Sequence, residues 1–354
     1  MIGWWVPGPV PKEVRRAIER LASAGDVVRV AVMPDVHLAE EVCVGIAVAT
    51  RERIYPAAIG GDVGCGVDAL PLGVEADALD RVAPKILDGF ARAVPAERGR
   101  GEVLELPWSD DRLARHAARD GRVQLGTLGS GNHFLELAAD DAGGLWMLVH
   151  SGSRAIGPPV GRLHSERAAV DPTGLRYVDG DARDALLADL ASAEAWATAN
   201  RAAIRRRALD VLGDVLAVAP GSPIVCSHNH VRREDDLWVH RKGAIPAGEG
   251  VLGVIPGSMG APTYIVEGRG VPEALASSSH GAGRQMSRAE AHARIRVRDL
   301  EAQMRGVWFD ERRARRLVDE APAAYKDIGR VMKAQRELTR IVARLRPVLN
   351  YKGR

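Results

Sequence analysis

SSSHGAGR, residues 277–284, places one histidine among three serines, two glycines and an arginine. The imidazole of His280 can attack phosphorus and carry a covalent phosphoramidate. Gly281 and Gly283 let the backbone approach a phosphate closely, and Arg284 can bind phosphate oxygens in a bidentate fashion. The stretch therefore indicates phosphate chemistry at His280. The alternative is a serine-rich turn that exposes one histidine.

Length and composition predict a soluble globular protein. The 354 residues are 46% hydrophobic, enough for a sizeable core, and the net charge of +3 excludes a global polycation. The three cysteines have neither disulfide nor zinc-finger spacing, which fits a reducing cytosol with each thiol buried or bound to metal. No apolar run approaches the roughly 20 residues of a membrane span, so we expect a cytoplasmic protein without a membrane partner. Glycine-rich turns recur along the chain and predict one interwoven domain.

One of these turns, GGDVGCGVD at residues 60–68, carries Asp62 and Cys65 three positions apart. A carboxylate and a thiolate placed in this way can share one metal ion. The donor types suit manganese, zinc or iron, and the sequence does not choose among them. The alternative is a small buried cysteine beside a turn aspartate.

A second turn, LGTLGSGNHFLE at residues 125–136, leads through three glycines into an amide, an imidazole and a carboxylate. On a strand, Asn132, Phe134 and Glu136 would share one face and His133 would lie on the other. Such a loop can wrap a nucleotide, and the alternative is a turn histidine with ordinary hydrogen bonds.

Three further histidines follow apolar segments. His150 ends the strand predicted at residues 145–149, next to a glycine turn. His228 and His230 follow the short strand at residues 224–227. Both reach one site if the strand continues, and only one does if the chain turns there.

Hydrophobic spacing predicts the remaining elements. We expect a strand that ends in a turn at residues 33–37, a β-rich run at 42–50, and helices at residues 12–21, 75–93, 111–119, 181–216, 300–305, 312–318 and 325–338. The long central helix carries a basic patch, which we interpret as a solvated face, with RNA contact as the alternative. Its members are Arg201, Arg205, Arg206 and Arg207.

Five polar groups come from four separate turns and can enclose two metal ions with the cysteine bridging. They are Asp62, Cys65, His133, His150 and His228. A two-metal site stabilises charge on a phosphoryl group, and His280 stands apart as a nucleophile. The residues alone therefore indicate metal-dependent phosphoryl or nucleotidyl transfer.

Ten strings, in order along nearly the whole chain, resemble the RtcB-type RNA ligase family. They are MPDVH at residue 33, GGDVGCGVDAL at 60, LGTLGSGNHFLEL at 125, HSGSR at 150, HNHV at 228, HRKGA at 240, IPGSMG at 255, SHGAGR at 279, VDEAPAAYKDI at 318 and ARLRPV at 343. The resemblance implies an α+β fold: a single RtcB-like domain over residues 1–354, with stacked sheets flanked by helices and metals in a central cleft.

The resemblance also implies a reaction. The family joins RNA ends bearing a 3′-phosphate or 2′,3′-cyclic phosphate to 5′-hydroxyl ends, using GTP and two Mn²⁺ ions, in RNA repair or tRNA splicing. Carried over by motif, the five polar groups above would be the metal ligands, with Cys65 bridging the ions. His280 would take GMP from GTP. The guanylate would be held by Asn132, His133, Glu136, Ser258, His280, Gly281, Gly283, Arg284 and Lys352.

Some positions depart from the family pattern. The family usually has glycines after MPDVH, where this chain has LAEEVC at residues 38–43, and a glycine-histidine pair where Gly157 precedes Pro158. The chain is also short between Asp68 and Leu125. These departures bear on RNA-end binding and substrate choice, and they are typical of a divergent paralogue.

Three other functions are open at this point. One is a guanylyltransferase that caps 3′-phosphate ends without sealing them, and it keeps every site residue. Another is a non-catalytic RNA-binding paralogue, which predicts the loss of His280 or of a metal ligand. The third is a metallophosphatase or cyclic phosphodiesterase, which needs neither His280 nor Lys352. An accessory activator is a further possible partner.

Overall fold

The computed structural model describes residues 1–99, 101 and 103–353, and strands account for much of this chain. In order they are β1 (Ile2–Trp4), β2 (Val27–His37), β3 (Val44–Thr50), β4 (Gly66–Glu75), β5 (Phe134–Ala139), β6 (Gly144–Ser151), β7 (Ala169–Val170), β8 (Arg176–Tyr177), β9 (Ile224–Ser227), β10 (Asn229–Glu234), β11 (Leu237–Lys242), β12 (Ala244–Pro246), β13 (Leu252–Ile255), β14 (Thr263–Gly268), β15 (Ser277–Ser279) and β16 (Thr339–Tyr351).

The α-helices lie between and around these strands. They are α1 (Lys12–Ala22), α2 (Ala83–Ala93), α3 (Asp111–His116), α4 (Arg122–Gln124), α5 (Gly157–Arg167), α6 (Gly180–Gly213), α7 (Arg288–Arg294), α8 (Val297–Gln303), α9 (Ala314–Leu317) and α10 (Ile328–Ala334). A π-helical turn, Ala117–Gly121, joins α3 to α4.

Two sheets form the body of the fold. The first has the strand order β1-β2-β3-β11-β10, and the second has the order β13-β14-β16-β5-β6-β4-β9. The second sheet curls so that its outer strands, β13 and β9, lie next to each other. The short pair β12-β15 packs against β2 and β3 of the first sheet. Because the chain continues from β15 into His280, this pair delivers the histidine to the space between the sheets.

Helices pack against both sheets. Apolar residues of α2 and α6 pack on one face of the seven-stranded sheet, while α10 packs with the other face. Helix α1 covers the five-stranded sheet through Val14, Ile18 and Leu21, whose spacing gives the helix one apolar stripe. The predicted α+β class, with stacked sheets flanked by helices, is confirmed. The single domain over residues 1–354 stays a prediction.

The turn expected at residues 33–37 is wrong, because β2 continues through this segment to His37. Pairing with β3 is interrupted between Val32 and His37. Pro34 has no N–H to donate, so it is tolerated where the ladder is already broken. The interruption leaves Asp35 in an extended strand beside the central cavity.

The basic patch on α6 is for the most part not a solvated face, which corrects the sequence interpretation; of its four arginines only Arg206 is exposed. Arg201 is buried, and its Nε donates to Asp68 Oδ1 at 2.8 Å. Arg205 also pairs with Asp68, and Arg207 Nη1 donates to the carbonyl of Gly126. These side chains fasten the helix to the sheet and to the loop before β5.

No helix in the described part of the chain combines the length and the apolar composition that a membrane span requires.

Candidate active site

A cavity of about 340 Å³ opens between the two sheets, within the size range of small-molecule sites. Nearly all residues predicted for the site line it, although they come from seven separate segments. The lining includes Asp62, Cys65, Asn132, Glu136, His150, His228, Ser258, His280, Gly281, Gly283, Arg284 and Lys352. His133 lies directly beside them, as the next contacts show.

Cys65 is the centre of a buried group of metal-binding side chains. Its Sγ lies 3.5 Å from His133 Nε2 and 3.3 Å from His150 Nε2. The three donor atoms lie within 4.8 Å of one another. Asp62 Oδ2 lies 3.0 Å from the same His133 nitrogen. Thiolate, imidazole and carboxylate donors converging in this way suit a divalent transition-metal ion.

Backbone carbonyls fix the tautomers of two of these histidines. His133 Nδ1 donates to Leu128 O at 2.9 Å, and His150 Nδ1 donates to Asn132 O at 3.1 Å. Since a carbonyl only accepts, each of these Nδ1 atoms carries a proton. The Nε2 lone pair of His150 faces Cys65, whereas Nε2 of His133 lies within reach of both Cys65 and Asp62. Metal-binding histidines usually have this second hydrogen bond, so the arrangement fits the predicted ligand role.

The charges of the group depend on burial. Burial and the nearby Asp62 carboxylate raise the pKa of the Cys65 thiol well above its usual range. Burial would also raise the pKa of Asp62, but the hydrogen bond and charge of His133 outweigh it and lower that pKa to about 2. Burial lowers the pKa of His150 and keeps the imidazole neutral, which is the ligand form. A divalent cation would stabilise the Cys65 thiolate that the metal-free pocket disfavours.

His228 extends the group towards His280. Its ring centroid lies 5.2 Å from that of His150 and 4.7 Å from that of His280. His228 stands between β9 and β10, so the strand does not run unbroken to His230. His230 does not line the cavity, and only one of the two histidines reaches the site. The turn alternative left open by the sequence is the correct one here.

Helix α6 anchors the loops that carry the metal-binding side chains. Asn200 Nδ2 donates to Thr127 O at 3.1 Å and to Ser151 Oγ at 3.0 Å, while its Oδ1 accepts from Gly126 N. Arg201 Nη1 donates to the carbonyls of Gly64 at 2.8 Å and Ser151 at 3.1 Å. These carbonyls adjoin Cys65 and His150 in the chain. Two neighbouring helix residues therefore hold three loops in fixed positions relative to one another.

His280 is held by a buried carboxylate. Its Nδ1 lies 2.7 Å from Asp35 Oδ2, and its backbone N–H donates to the same oxygen at 3.2 Å. Asp35 has no exposed surface. The other ring nitrogen of His280, Nε2, remains available to react in the cavity. Gly283 is required here, because its φ is +71° and a Cβ would lie 2.2 Å from Asp35 O.

The opposite end of the cavity carries unsatisfied hydrogen-bonding atoms. Asn350 Nδ2 donates to Glu136 Oε2 at 2.6 Å, but Glu136 Oε1 and Ser258 Oγ are buried without a partner in the part of the chain that the structure describes. Burial raises the pKa of Glu136 to about 8. Buried polar atoms normally have partners, so this end fits a polar ligand such as a nucleoside.

Lys352 and Arg284 flank this end through a shared acid. Lys352 Nζ donates to Glu320 Oε2 at 2.6 Å and to Gly131 O at 3.0 Å. Arg284 donates to Glu320 Oε1 at 3.3 Å and to Asp319 O at 2.8 Å, and its guanidinium lies 5.0 Å from the ring centre of Tyr325. The cations, the acid and the aromatic ring form one wall of the cavity.

Comparison with known proteins identifies the family. The family model described as tRNA-splicing ligase RtcB matches residues 17–114 and 106–353. The chain belongs to the RtcB family.

Curated relatives agree with this assignment over almost the whole RtcB chain. It is 34% identical to the RNA-splicing ligase RtcB of Escherichia coli strain K12, covering 99% of this chain and 96% of that protein. It is 33% identical to the RNA-splicing ligase RtcB2 of a second Escherichia coli strain, covering 95% and 92%. The tRNA-splicing ligase RtcB of Nanoarchaeum equitans is 30% identical, covering 85% of this chain and 82% of its own.

Sequence reasoning missed several residues of this RtcB site. Asp35, Lys242, Glu320 and Tyr325 contact the predicted residues or line the cavity, but none was given a role. Each stands inside a string quoted for the resemblance, which was the available signal. His133 was also placed on the wrong face. Because β5 begins only at Phe134, strand alternation does not apply to it.

Proposed function

We propose that this RtcB protein is a GTP- and Mn²⁺-dependent RNA ligase. It joins an RNA end bearing a 3′-phosphate or 2′,3′-cyclic phosphate to a 5′-hydroxyl end through a guanylate carried on His280. The observation that carries the proposal is the Asp35–His280 pair, which lies in one cavity with the Cys65 group and beside His228. A nucleophile positioned by a carboxylate next to a metal site is the constellation that nucleotidyl transfer requires.

The residues of the chain have distinct parts in this proposal. Asp35 keeps the proton on His280 Nδ1, so the Nε2 lone pair attacks the α-phosphorus of GTP and pyrophosphate leaves. Where the end is a 2′,3′-cyclic phosphate, water first breaks its bond to the 2′-oxygen and leaves a 3′-phosphate. The guanylate then passes from nitrogen to an oxygen of the RNA 3′-phosphate. The 5′-hydroxyl attacks that phosphorus, forms the phosphodiester and releases GMP. Guanylylation thus gives the RNA phosphate a good leaving group.

The nucleotide binds at the end of the cavity that holds Glu136 and Ser258. Glu136 Oε1 and Ser258 Oγ supply the buried partnerless atoms, and Lys352 supplies a cation. Asn132, Arg284, His133 and the backbone at Gly281 and Gly283 complete the proposed guanylate site. Since a nucleoside satisfies atoms that are otherwise buried without partners, its binding removes an unfavourable desolvation.

The proposed metal ligands are the five polar groups of the sequence prediction. They are Asp62, Cys65, His133, His150 and His228. These residues would hold Mn²⁺, which would offset the negative charge that builds on phosphorus. The family model and the relatives, described as tRNA- or RNA-splicing ligases, support RNA as the substrate. A cytoplasmic location, a role in RNA repair or tRNA splicing and an accessory activator stay predictions.

A joining assay tests the proposal. Purified protein is incubated with Mn²⁺, GTP and two labelled RNAs, one ending in a 3′-phosphate and one beginning with a 5′-hydroxyl. We expect a sealed product from the wild type and none from His280→Ala, or with ATP in place of GTP. RNA that carries a 3′-terminal guanylate and stays unsealed would instead identify the capping alternative. Unchanged RNA in the presence of bound Mn²⁺ would contradict both functions.

A further inference from the structure

A second cavity of about 880 Å³ adjoins the first. The two cavities share Ser258 and Tyr325 as lining residues, so the second lies directly beside the nucleotide end of the first. Its walls come from the loop around residues 258–264, the segment at 322–330, and the paired strands β14 and β16. We call this cavity the outer groove.

The outer groove is cationic. Lys326, Arg330 and Arg344 line it, with Asp327 as the one acid among the lining residues. Asp327 is already engaged, because its Oδ1 accepts from the backbone N–H of Arg330 at the start of α10. Lys326 Nζ donates to the carbonyls of Pro34 and Val36, which ties it to the strand that carries Asp35.

The two arginines of the outer groove are available to an external anion. Neither the Arg330 nor the Arg344 guanidinium makes a hydrogen bond or an ion pair with any part of the chain that the structure describes, and both residues are exposed. Two unpaired guanidinium groups in one groove produce a local positive field that favours a polyanion.

Aromatic rings stand beside these cations. Tyr264 pairs directly with Arg344 across β14 and β16, so both side chains lie on the same face of the sheet. Tyr325 is fixed by the hydrogen bond from its hydroxyl to Glu320 at 2.7 Å, and its ring lies at the junction of the two cavities. A cationic groove that offers aromatic surfaces is the pattern by which proteins bind single-stranded nucleic acid.

We propose that the outer groove binds the single-stranded RNA segment adjoining the reacting end, with Arg330 and Arg344 on its phosphates and Tyr264 against a base. This inference rests on the proposed function, since the RNA end must reach His280 through the shared junction. The contacts are to phosphates and ring faces, so the groove binds RNA of any sequence. A protein partner would require acidic side chains in place of the phosphates.

Salt-dependent RNA binding tests the groove. The probe is a fluorescent 12-nucleotide single-stranded RNA with a 3′-phosphate, titrated with full-length protein by anisotropy at several salt concentrations and without GTP. The test variant is Arg330→Gln/Arg344→Gln. The matched control is Lys12→Gln/Arg16→Gln, which removes two exposed charges one turn apart on α1, outside both cavities. Circular dichroism and thermal unfolding check that every variant is folded.

Each single-strand phosphate contact contributes about 0.7 to the slope of log affinity against log salt. We therefore expect the groove variant to lower that slope by about 1.4 and to weaken binding about tenfold at low salt. The α1 control should bind within about twofold of the wild type. The proposal would be overturned if both variants lost RNA affinity equally or if the groove variant lost none. It would also be overturned if the wild type bound no RNA. Anisotropy that responds to an acidic peptide but not to RNA would identify a protein-binding groove instead.

This test is independent of the guanylate chemistry because GTP is absent. If the groove variant binds RNA normally while the wild type still takes label from GTP, the outer groove does not bind RNA and the proposed function stands. If RNA binding depends on Arg330 and Arg344 but no label reaches His280, the proposed function is wrong and the RNA-binding role of the outer groove stands.

Discussion

At the scale of single residues, the pairing of His280 with Asp35 determines which ring nitrogen faces the cavity. The carboxylate lies 2.7 Å from Nδ1 and is completely buried. Its position depends on the interrupted pairing of β2 around Pro34, which leaves the carboxylate free to meet the backbone N–H of His280 as well. Asp35 therefore acts as a positioning residue for the proposed nucleophile.

Replacing Asp35 tests this role. Asp35→Asn keeps the size but loses the charge and presents an amide that can stabilise the wrong tautomer. We expect the single-turnover rate of His280 labelling by GTP to fall by about 10²- to 10⁴-fold, with metal binding retained. Rapid-quench measurements with GTP labelled at the α-phosphate provide the rate.

The chain offers a matched control for this substitution. Asp189 is also fully buried, and its Oδ2 lies 2.7 Å from His164 Nε2, away from the cavity. Asp189→Asn should change stability but not the labelling rate of the folded protein. A rate for Asp35→Asn within threefold of the wild type would show that the pair does not orient His280.

Glu136 makes stability depend on pH in a defined window. Burial raises its pKa from 4.5 to about 8. Between these values the folded protein keeps a proton that the unfolded chain has released, so the free energy of unfolding falls as pH rises. One group contributes at most about 1.4 kcal/mol per pH unit in this window.

Glu136→Gln removes that contribution. We expect its free energy of unfolding, relative to the wild type, to increase steadily from pH 5 to pH 8. Urea unfolding of both metal-free proteins at four pH values measures the difference, and the titrating histidines are common to both. If the free energies of unfolding of the two proteins changed with pH in parallel, that result would contradict a protonated Glu136 in the folded protein.

At the scale of elements, helix α6 holds in place the loops that carry the proposed metal ligands. Asn200 and Arg201 contact the loops around Gly126, Gly64 and Ser151 from one buried turn of the helix. Because these loops carry the metal-binding side chains, a change in α6 displaces the donors without touching them.

Asn200→Ala tests this coupling. We expect Mn²⁺ affinity to fall by about 10- to 100-fold, as is usual when a group supporting metal ligands is lost. Isothermal titration of the metal-free protein measures it. Leu212→Ala is the control, since Leu212 packs in the α2–α6 core at the far end of the helix and its truncation lowers stability by about 2–5 kcal/mol. Equal loss of affinity in both variants would mean that general destabilisation, not loop position, is responsible.

The elements differ in how far the sequence predicts them. Regular periodicity predicted α1 and α6, and β-branched runs predicted β2 and β3. The sequence did not predict β16, although Ala343, Leu345, Pro347 and Leu349 alternate with residues of the other face. The four arginines and one lysine within residues 340–354 drew attention to charge, whereas tertiary pairing with β14 and β5 decides the conformation of β16.

The site was predictable to a different degree from the fold. Side-chain chemistry alone suggested His280 and the five candidate metal ligands, and the family resemblance added Ser258 and Lys352. Neither source predicted that Arg201 is buried against Asp68, because charge alone favours a solvated helix face. The pairing partner lies 133 positions away in the chain, and only the folded topology brings the two together.

At the scale of the whole molecule, metal binding should stabilise the fold. His150 lies in the seven-stranded sheet, and Asp62, Cys65 and His228 lie on segments that connect this sheet to the five-stranded one, so bound ions would hold these connections together. We expect metal-free protein to take up two Mn²⁺ per chain and to gain about 2.7 kcal/mol per bound ion when free metal is 100 times the dissociation constant of each site. Thermal unfolding with Mn²⁺ titration measures the gain. A stoichiometry of one, or no stabilisation, would contradict the two-ion site.

Covalent labelling tests the central claim most directly. The protein is incubated with Mn²⁺ and GTP labelled at the α-phosphate, denatured, and analysed for bound label by gel and by mass spectrometry, beside His280→Ala. The account predicts one acid-labile guanylate per chain on His280 and none on the variant. Wild-type protein that is folded and loaded with Mn²⁺ but stays unlabelled, or that carries its label on another residue, would contradict the account.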